Sequence, residues 1–162
     1  MYRPTYAIAA FMGREDQELS KRILAVLLEA LVQIDVIELV TYPFIPPLYD
    51  AGVRYFREQR KDVDDDWQDV VTTWVKHLGD CEELAAWRAA ELRVRYGIFA
   101  WLDFTFEFLP DGSKRIHIFV RREDGVVEDP SLILMQVPGV VTVPANGNSQ
   151  PRGRPVLIRR AA

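Results

Sequence analysis

The chain is poor in the residues that most often reveal a chemical function. Its 162 residues include one cysteine and two histidines. A single cysteine excludes an intramolecular disulfide. His77 lies four residues before Cys81, but a helix break separates them, and no other thiol or clustered histidine completes a zinc site. We therefore assign no metal and no cofactor.

Long apolar segments are also absent. No apolar run approaches the roughly 18 residues that a membrane span requires. The first residues, MYRPTYAIAAFM, lack the basic start and long apolar stretch of a secretory signal. The composition, 49% hydrophobic and 27% charged, is typical of one globular domain with a sizeable core. We expect a soluble, cytoplasmic protein without a membrane partner.

Charge is distributed unevenly along the chain. The net charge is −4, but residues 144–162 contain no acid and four arginines, so this segment carries +4 and the rest carries −8. We therefore divide the chain into a domain, residues 1–143, and a basic tail rich in proline, glycine and asparagine, residues 144–162. The tail is expected to contact an acidic partner, or else to be a solvated end. Nucleic acid is the weaker choice of partner, because the acidic domain would repel a phosphate backbone. The tail arginines are Arg152, Arg154, Arg159 and Arg160.

The sequence of the N-terminal part is typical of a helix. A periodicity of three and four residues predicts a helix from Glu15 to about Leu39. Pro43, Pro46 and Pro47 prevent its continuation and predict a connecting loop. The apolar positions that carry the periodicity are Ile23, Leu24, Leu27, Leu28, Leu31 and Ile34.

Two further helices are expected before residue 97. One is predicted from Trp67 to His77, with Asp65 or Asp66 as its N-cap. The next is predicted from Cys81 to about residue 95, since Asp80 with a glutamate three residues later forms a capping-box pattern. The lone thiol therefore lies on the first turn of a helix.

After Gly97 the apolar period changes to two, which indicates strands. Residues 104–108 and 116–120 alternate, and two glycine-containing turns, 110–112 and 123–125, separate them from each other and from residues 126–129. This pattern predicts an antiparallel meander that follows the helices. The fold class is therefore α+β.

A thiol at a helix N-terminus is well placed for nucleophilic chemistry. The positive end of the helix dipole favours the thiolate, which is the reactive form. Asp80, Glu82 and Glu83 oppose this effect, so a cationic histidine beside Cys81 is also required. The alternative is that Cys81 is an inert helix residue.

His117 and Asp129 are the partners that the strand pattern suggests. If the 123–125 turn has three residues with Gly125 left-handed, Phe119 lies opposite Asp129. His117 and Asp129 are then diagonal neighbours on the same face of the sheet, about 7 Å or less apart. The three side chains then form a catalytic triad in which Cys81 attacks and His117 moves the proton. The Cys81 N–H is a natural oxyanion donor, and Trp74 and His77 are weak candidates for a second. Taken alone, His117 could be a satisfied polar residue and Asp129 a turn cap.

The segments GDCEELAAWRAAELR and IHIFVRREDGVVEDPS together resemble the transglutaminase-like branch of the papain-like cysteine enzymes, in particular small phage-encoded members. The likeness covers roughly residues 46–134. It implies a papain-like core and carries catalytic roles onto Cys81, His117 and Asp129. Ile118-Phe119 stands where larger relatives have a tryptophan after the histidine.

The sequence therefore predicts a cysteine acyl-transfer enzyme that hydrolyses or exchanges an amide of a protein or peptide through a thioester. The alternative is a non-enzymatic structural part of a phage particle that uses the same fold, with the basic tail contacting neighbouring subunits. A location in the virion is then expected. The sequence leaves open the substrate, the choice between hydrolysis and crosslinking, and the oligomeric state.

Overall fold

The computed structural model describes residues 17–56, 67–108 and 114–136. Helices dominate the first part of the chain and an antiparallel sheet the second, which confirms the α+β class. In chain order, the elements are helix α1 (Gln17–Thr41), a 3-10 turn (Leu48–Asp50), strand β1 (Arg54–Tyr55), helix α2 (Val70–Lys76), strand β2 (Leu78–Gly79), helix α3 (Cys81–Tyr96), strands β3 (Ala100–Phe108), β4 (Lys114–Arg122) and β5 (Val127–Glu128), and helix α4 (Pro130–Met135).

Helix α1 ends at Thr41, two residues before Pro43, and its β-branched second half stays helical. The predicted end at Leu39 is therefore two residues short, and the predicted start at Glu15 lies outside the described residues. Its core face is turned slightly from the prediction, because Ile23 is 38% exposed. The buried apolar residues of α1 are Leu24, Leu28, Leu31, Val32 and Leu39.

Helix α2 begins three residues later than predicted, at Val70 instead of Trp67, and its N-cap is Asp69. The later start is explained by the Asp69 cap together with a tertiary contact to α1. Asp69 accepts a hydrogen bond from Thr72 N at 2.6 Å, and Asp35 of α1 accepts one from Val70 N at 2.8 Å. Two carboxylates thus satisfy free N–H groups of this helix start. The predicted caps, Asp65 and Asp66, lie outside the described residues.

Helix α3 is the centre of the core. Trp87 is fully buried, as are the alanines around it, and small side chains allow α1 and the sheet to approach the helix closely. The helix ends at Tyr96, close to the predicted end, and Gly97 follows it in the left-handed conformation, with φ 65°. The fully buried residues of α3 include Leu84, Ala85, Ala86, Trp87, Ala89 and Ala90.

Strands β3, β4 and β5 form an antiparallel sheet in that order, which is the predicted meander. Strands β1 and β2 form a separate parallel pair, which the sequence did not predict. Among the described helices, none is long and apolar enough to cross a bilayer. The predicted turn at 110–112 and the tail, 144–162, lie outside the described residues.

Candidate active site

Cys81 is the first residue of α3, and a capping box fixes the helix start. The Asp80 carboxylate accepts a hydrogen bond from Glu82 N at 3.3 Å, and Glu83 reaches back to accept one from Asp80 N at 2.7 Å. This confirms the capping box that the sequence predicts. Cys81 itself is half-buried at the edge of the core.

The two glutamates after Cys81 are buried, with 4% and 5% of their surface exposed. The sequence places these acids beside the thiol but gives no sign that they are buried. Burial, together with the nearby Asp80 charge, raises the pKa of Glu83 to about 9, so this carboxyl is mostly neutral at pH 7. Glu82 accepts a hydrogen bond from Cys81 Sγ at 3.2 Å. One carboxyl therefore contacts the thiol directly.

Strand β4 carries His117, and the turn into β5 determines what lies beside it. Val120 pairs with Glu128 and Arg121 with Val127, with Gly125 left-handed at φ 83°. Continuing this register one step places Asp129 opposite residue 119. This is the three-residue turn that the sequence analysis required.

Asp129 uses both carboxylate oxygens. Its Oδ2 lies 2.6 Å from His117 Nε2. Its Oδ1 accepts a hydrogen bond from Leu132 N at 3.1 Å and so caps helix α4, which begins at Pro130. The predicted neighbour relation of His117 and Asp129 is confirmed, and the turn-cap alternative also holds, since one residue does both.

His117 interacts with both other members of the group. Its pKa is raised to about 10, first by the hydrogen bond with Asp129 and then by a hydrogen bond with the Cys81 side chain, against the opposing effect of burial. Because Nε2 bonds to Asp129, Nδ1 is the ring nitrogen left for Cys81. The imidazole is therefore cationic at neutral pH, between the sulfur and the carboxylate.

The two weak oxyanion candidates have other surroundings. The Trp74 ring packs with Phe44, with ring centroids 6.1 Å apart. His77 is exposed and ends α2 in the left-handed conformation, with φ 56°. Neither position supports the predicted oxyanion role. The tail arginines, Arg152, Arg154, Arg159 and Arg160, lie outside the described residues.

Asp80, Cys81 and Glu82 could together offer ligands to a cation. One ligand atom from each lies within 4.8 Å of the others. Two of these atoms already serve the helix start and the thiol, since Asp80 caps α3 and Glu82 contacts the sulfur. This geometry is explained by the cap and requires no metal.

Sequence reasoning missed the charged residues buried behind the site. Arg88 and Glu91 of α3 and Glu128 of β5 form ion pairs with side chains between 0% and 11% exposed. These ion pairs could not be predicted from the sequence, because strand alternation indicates the face of the sheet on which Glu128 lies but not the residue that it contacts. Helix α4 had a readable signal, since Asp129-Pro130 is an N-cap followed by proline at the first helical position.

No family model, curated protein or solved structure matches this chain. The likeness to transglutaminase-like enzymes therefore depends on the residues of this sequence alone.

Proposed function

We propose that the protein is a cysteine acyl-transfer enzyme of transglutaminase-like type, which acts on an amide of a protein or peptide. The observation that carries the proposal is the 2.6 Å contact of His117 with Asp129, together with the effect of the Cys81 side chain in raising the His117 pKa. These residues lie on α3, on β4 and just after β5, so their meeting is a tertiary event. A nucleophile, a base and an orienting carboxylate in this order are the parts that acyl transfer needs.

The first half of the reaction forms a thioester. The Cys81 sulfur, as thiolate, attacks the amide carbonyl carbon, and a C–S bond forms. The tetrahedral intermediate collapses with cleavage of the C–N bond, and protonated His117 gives its proton to the departing amine. Asp129 keeps the ring cationic and oriented, because it accepts the Nε2 hydrogen and leaves Nδ1 for the proton transfer.

The second half releases the acyl group. Water or an amine attacks the thioester carbonyl, and neutral His117 takes the proton from this nucleophile. Cleavage of the C–S bond then regenerates the thiolate beside protonated His117. Water gives hydrolysis and an amine gives amide exchange.

The start of α3 offers a donor for the oxyanion. Of its first N–H groups, those of Glu82 and Glu83 donate to the Asp80 side chain, and that of Leu84 donates to the Asp80 carbonyl at 3.2 Å. The N–H of Cys81 is the first-turn donor that we assign to the oxyanion.

A hydroxylamine assay tests the proposal. Glutamine-containing peptides and a casein digest are incubated with the protein and hydroxylamine, and hydroxamate and released ammonia or amine are measured. We expect product with the wild type, none with Cys81→Ala, and an acyl adduct on Cys81 in acid-quenched samples. Equal product from the wild type and Cys81→Ala, or no product and no adduct from either, would refute the proposal.

The alternative of a structural virion component depends on the arginine tail. Because the tail lies outside the described residues, this alternative stays a prediction from the sequence.

A further inference from the structure

A second polar cluster lies behind Asp129, on the other face of β5. Glu128 Oε1 lies 2.6 Å from Arg88 Nε and accepts the Tyr49 hydroxyl at 2.5 Å, and Glu128 Oε2 lies 3.5 Å from Arg88 Nη2. The side chains of Arg88 and Glu128 are 11% and 3% exposed. This is a buried ion pair with both partners hydrogen-bonded.

Arg88 also binds a second carboxylate. Its Nη1 donates to Glu91 Oε2 at 3.2 Å, and the same oxygen accepts a hydrogen bond from Leu48 N at 3.3 Å. The guanidinium lies over the Tyr49 ring, 5.2 Å from its centroid. Burial, and then Glu128, raise the pKa of Tyr49, so the hydroxyl remains a donor. Three side chains, those of Glu128, Glu91 and Tyr49, thus hold Arg88 in one place.

A buried cluster of this kind adds little net stability to a fold. Removing two charges from water costs free energy that an ion pair regains only with good geometry, and apolar residues of similar volume often do as well. The planar, forked guanidinium does offer fixed direction, which an apolar contact lacks. The cluster therefore suggests a role in positioning.

Its place in the fold connects the two halves of the candidate site. Arg88 follows Cys81 by seven residues, about two helical turns, so both lie on the same side of α3. Glu128 immediately precedes Asp129, and alternation along the strand directs the two carboxylates to opposite faces. The pair thus joins the helix of the nucleophile to the strand of the carboxylate.

We propose that the Arg88–Glu128 ion pair positions Asp129, and through it His117, opposite Cys81. The two residues act through Asp129 and need no contact with substrate, so they are positioning residues. This inference rests on the proposed function for its catalytic meaning, but the geometry that it predicts is measurable without any substrate.

The test variant is Glu128→Gln, which keeps the side-chain shape and removes the charge. Its matched control is Glu29→Gln. Glu29 of α1 forms a two-bond ion pair with Arg93 of α3, at 2.7 and 2.9 Å, away from the site. A pair variant, Arg88→Met with Glu128→Leu, replaces the ion pair by apolar volume and keeps the core filled. It also carries Glu91→Gln, so that no buried carboxylate loses its ion-pair partner.

Two readouts report on the site in the full chain: the titration midpoint of the His117 ring by NMR, and the rate of Cys81 alkylation by iodoacetamide at pH 7. We expect Glu128→Gln and the pair variant to shift the midpoint down by about one pH unit or more. We expect both to slow alkylation severalfold. The control should change neither.

The proposal fails if folded Glu128→Gln keeps the wild-type midpoint and rate, or if Glu29→Gln shifts them equally. If Glu128→Gln does not fold, the pair variant decides by the same criteria; if neither variant folds, the pair is structural and the proposal fails. A shifted midpoint in a protein whose wild type shows no amide turnover would support the positioning role and refute the proposed function. Amide turnover by the wild type, together with an unchanged His117 midpoint in Glu128→Gln, would support the proposed function and refute the positioning role.

Discussion

His117 Nε2 lies 2.6 Å from Asp129 Oδ2, while the other oxygen of the same carboxylate caps α4. One side chain therefore serves both the electrostatics of the site and the start of a helix. Because asparagine also caps helices well, the two roles can be separated by mutation.

Asp129→Asn should lower the titration midpoint of His117 from about 10 towards its ordinary value, since the strongest contribution to the raised pKa is lost. The α4 cap should persist. The measurement is NMR of the His117 ring between pH 5 and 11. Asp129→Ala, which removes both roles, should cost about 0.5–2 kcal/mol of stability for the cap in addition. A midpoint still near 10 in Asp129→Asn would refute the assignment.

The stability of the protein should depend on the protonation of His117. The folded pKa of about 10 exceeds the ordinary value of 6.5, so the folded state binds the proton more tightly. The contribution of His117 is therefore complete below about pH 6.5 and is lost as the pH rises to about 10. Urea denaturation of wild type and His117→Gln at pH 6, 8 and 10 measures it. The difference between the two proteins should shrink with rising pH; a constant or growing difference would contradict this account.

Glu83 should act in the same direction over a lower range. Its folded pKa of about 9 lies above the ordinary 4.5, so its protonated form is favoured on folding and stability falls as the pH rises from about 4.5 to 9. Glu83→Gln keeps the capping box, because glutamine is also suited to that position. The variant should have a flatter stability profile over this range in urea denaturation. An unchanged slope would show that the carboxyl is charged in the fold.

Glu82 should restrain the thiol. Its carboxylate accepts a hydrogen bond from Cys81 Sγ at 3.2 Å, and a negative charge there disfavours the thiolate. Glu82→Gln should therefore raise the rate of Cys81 alkylation by iodoacetamide at pH 7 severalfold.

The matched control for this rate is Glu83→Gln, at the next position and equally buried. Because Glu83 is already mostly neutral at pH 7, the control removes little charge, and the alkylation rate should stay near that of the wild type. Equal effects of the two substitutions would assign the restraint to helix capping instead of the Glu82 charge.

Much of this fold could be predicted from local pattern. The capping box at Asp80 and the end of α3 before Gly97 are encoded within a few residues and were predicted, and the register set by Gly125 was predicted on the condition of a three-residue turn. The meeting of His117 with Asp129 follows from that register. The turn chemistry alone therefore brought two of the three site residues together.

The remaining features depend on distant parts of the chain. The start of α2 is set by Asp35, which lies 35 residues before Val70, and no local signal reports this contact. The burial of Glu82 and of Glu128 could not be predicted from the sequence either, because glutamates are mostly found at protein surfaces. Composition can therefore suggest acids around a site, but only the fold shows which are buried.

The central claim is that His117 activates Cys81, and one comparison tests it most directly. The second-order rate of Cys81 alkylation by iodoacetamide at pH 7 is measured for wild type and His117→Gln, with folding of both verified by circular dichroism. We predict that the variant reacts at least about tenfold more slowly, because its thiolate lacks a cationic partner. Equal rates in two folded proteins would contradict the account.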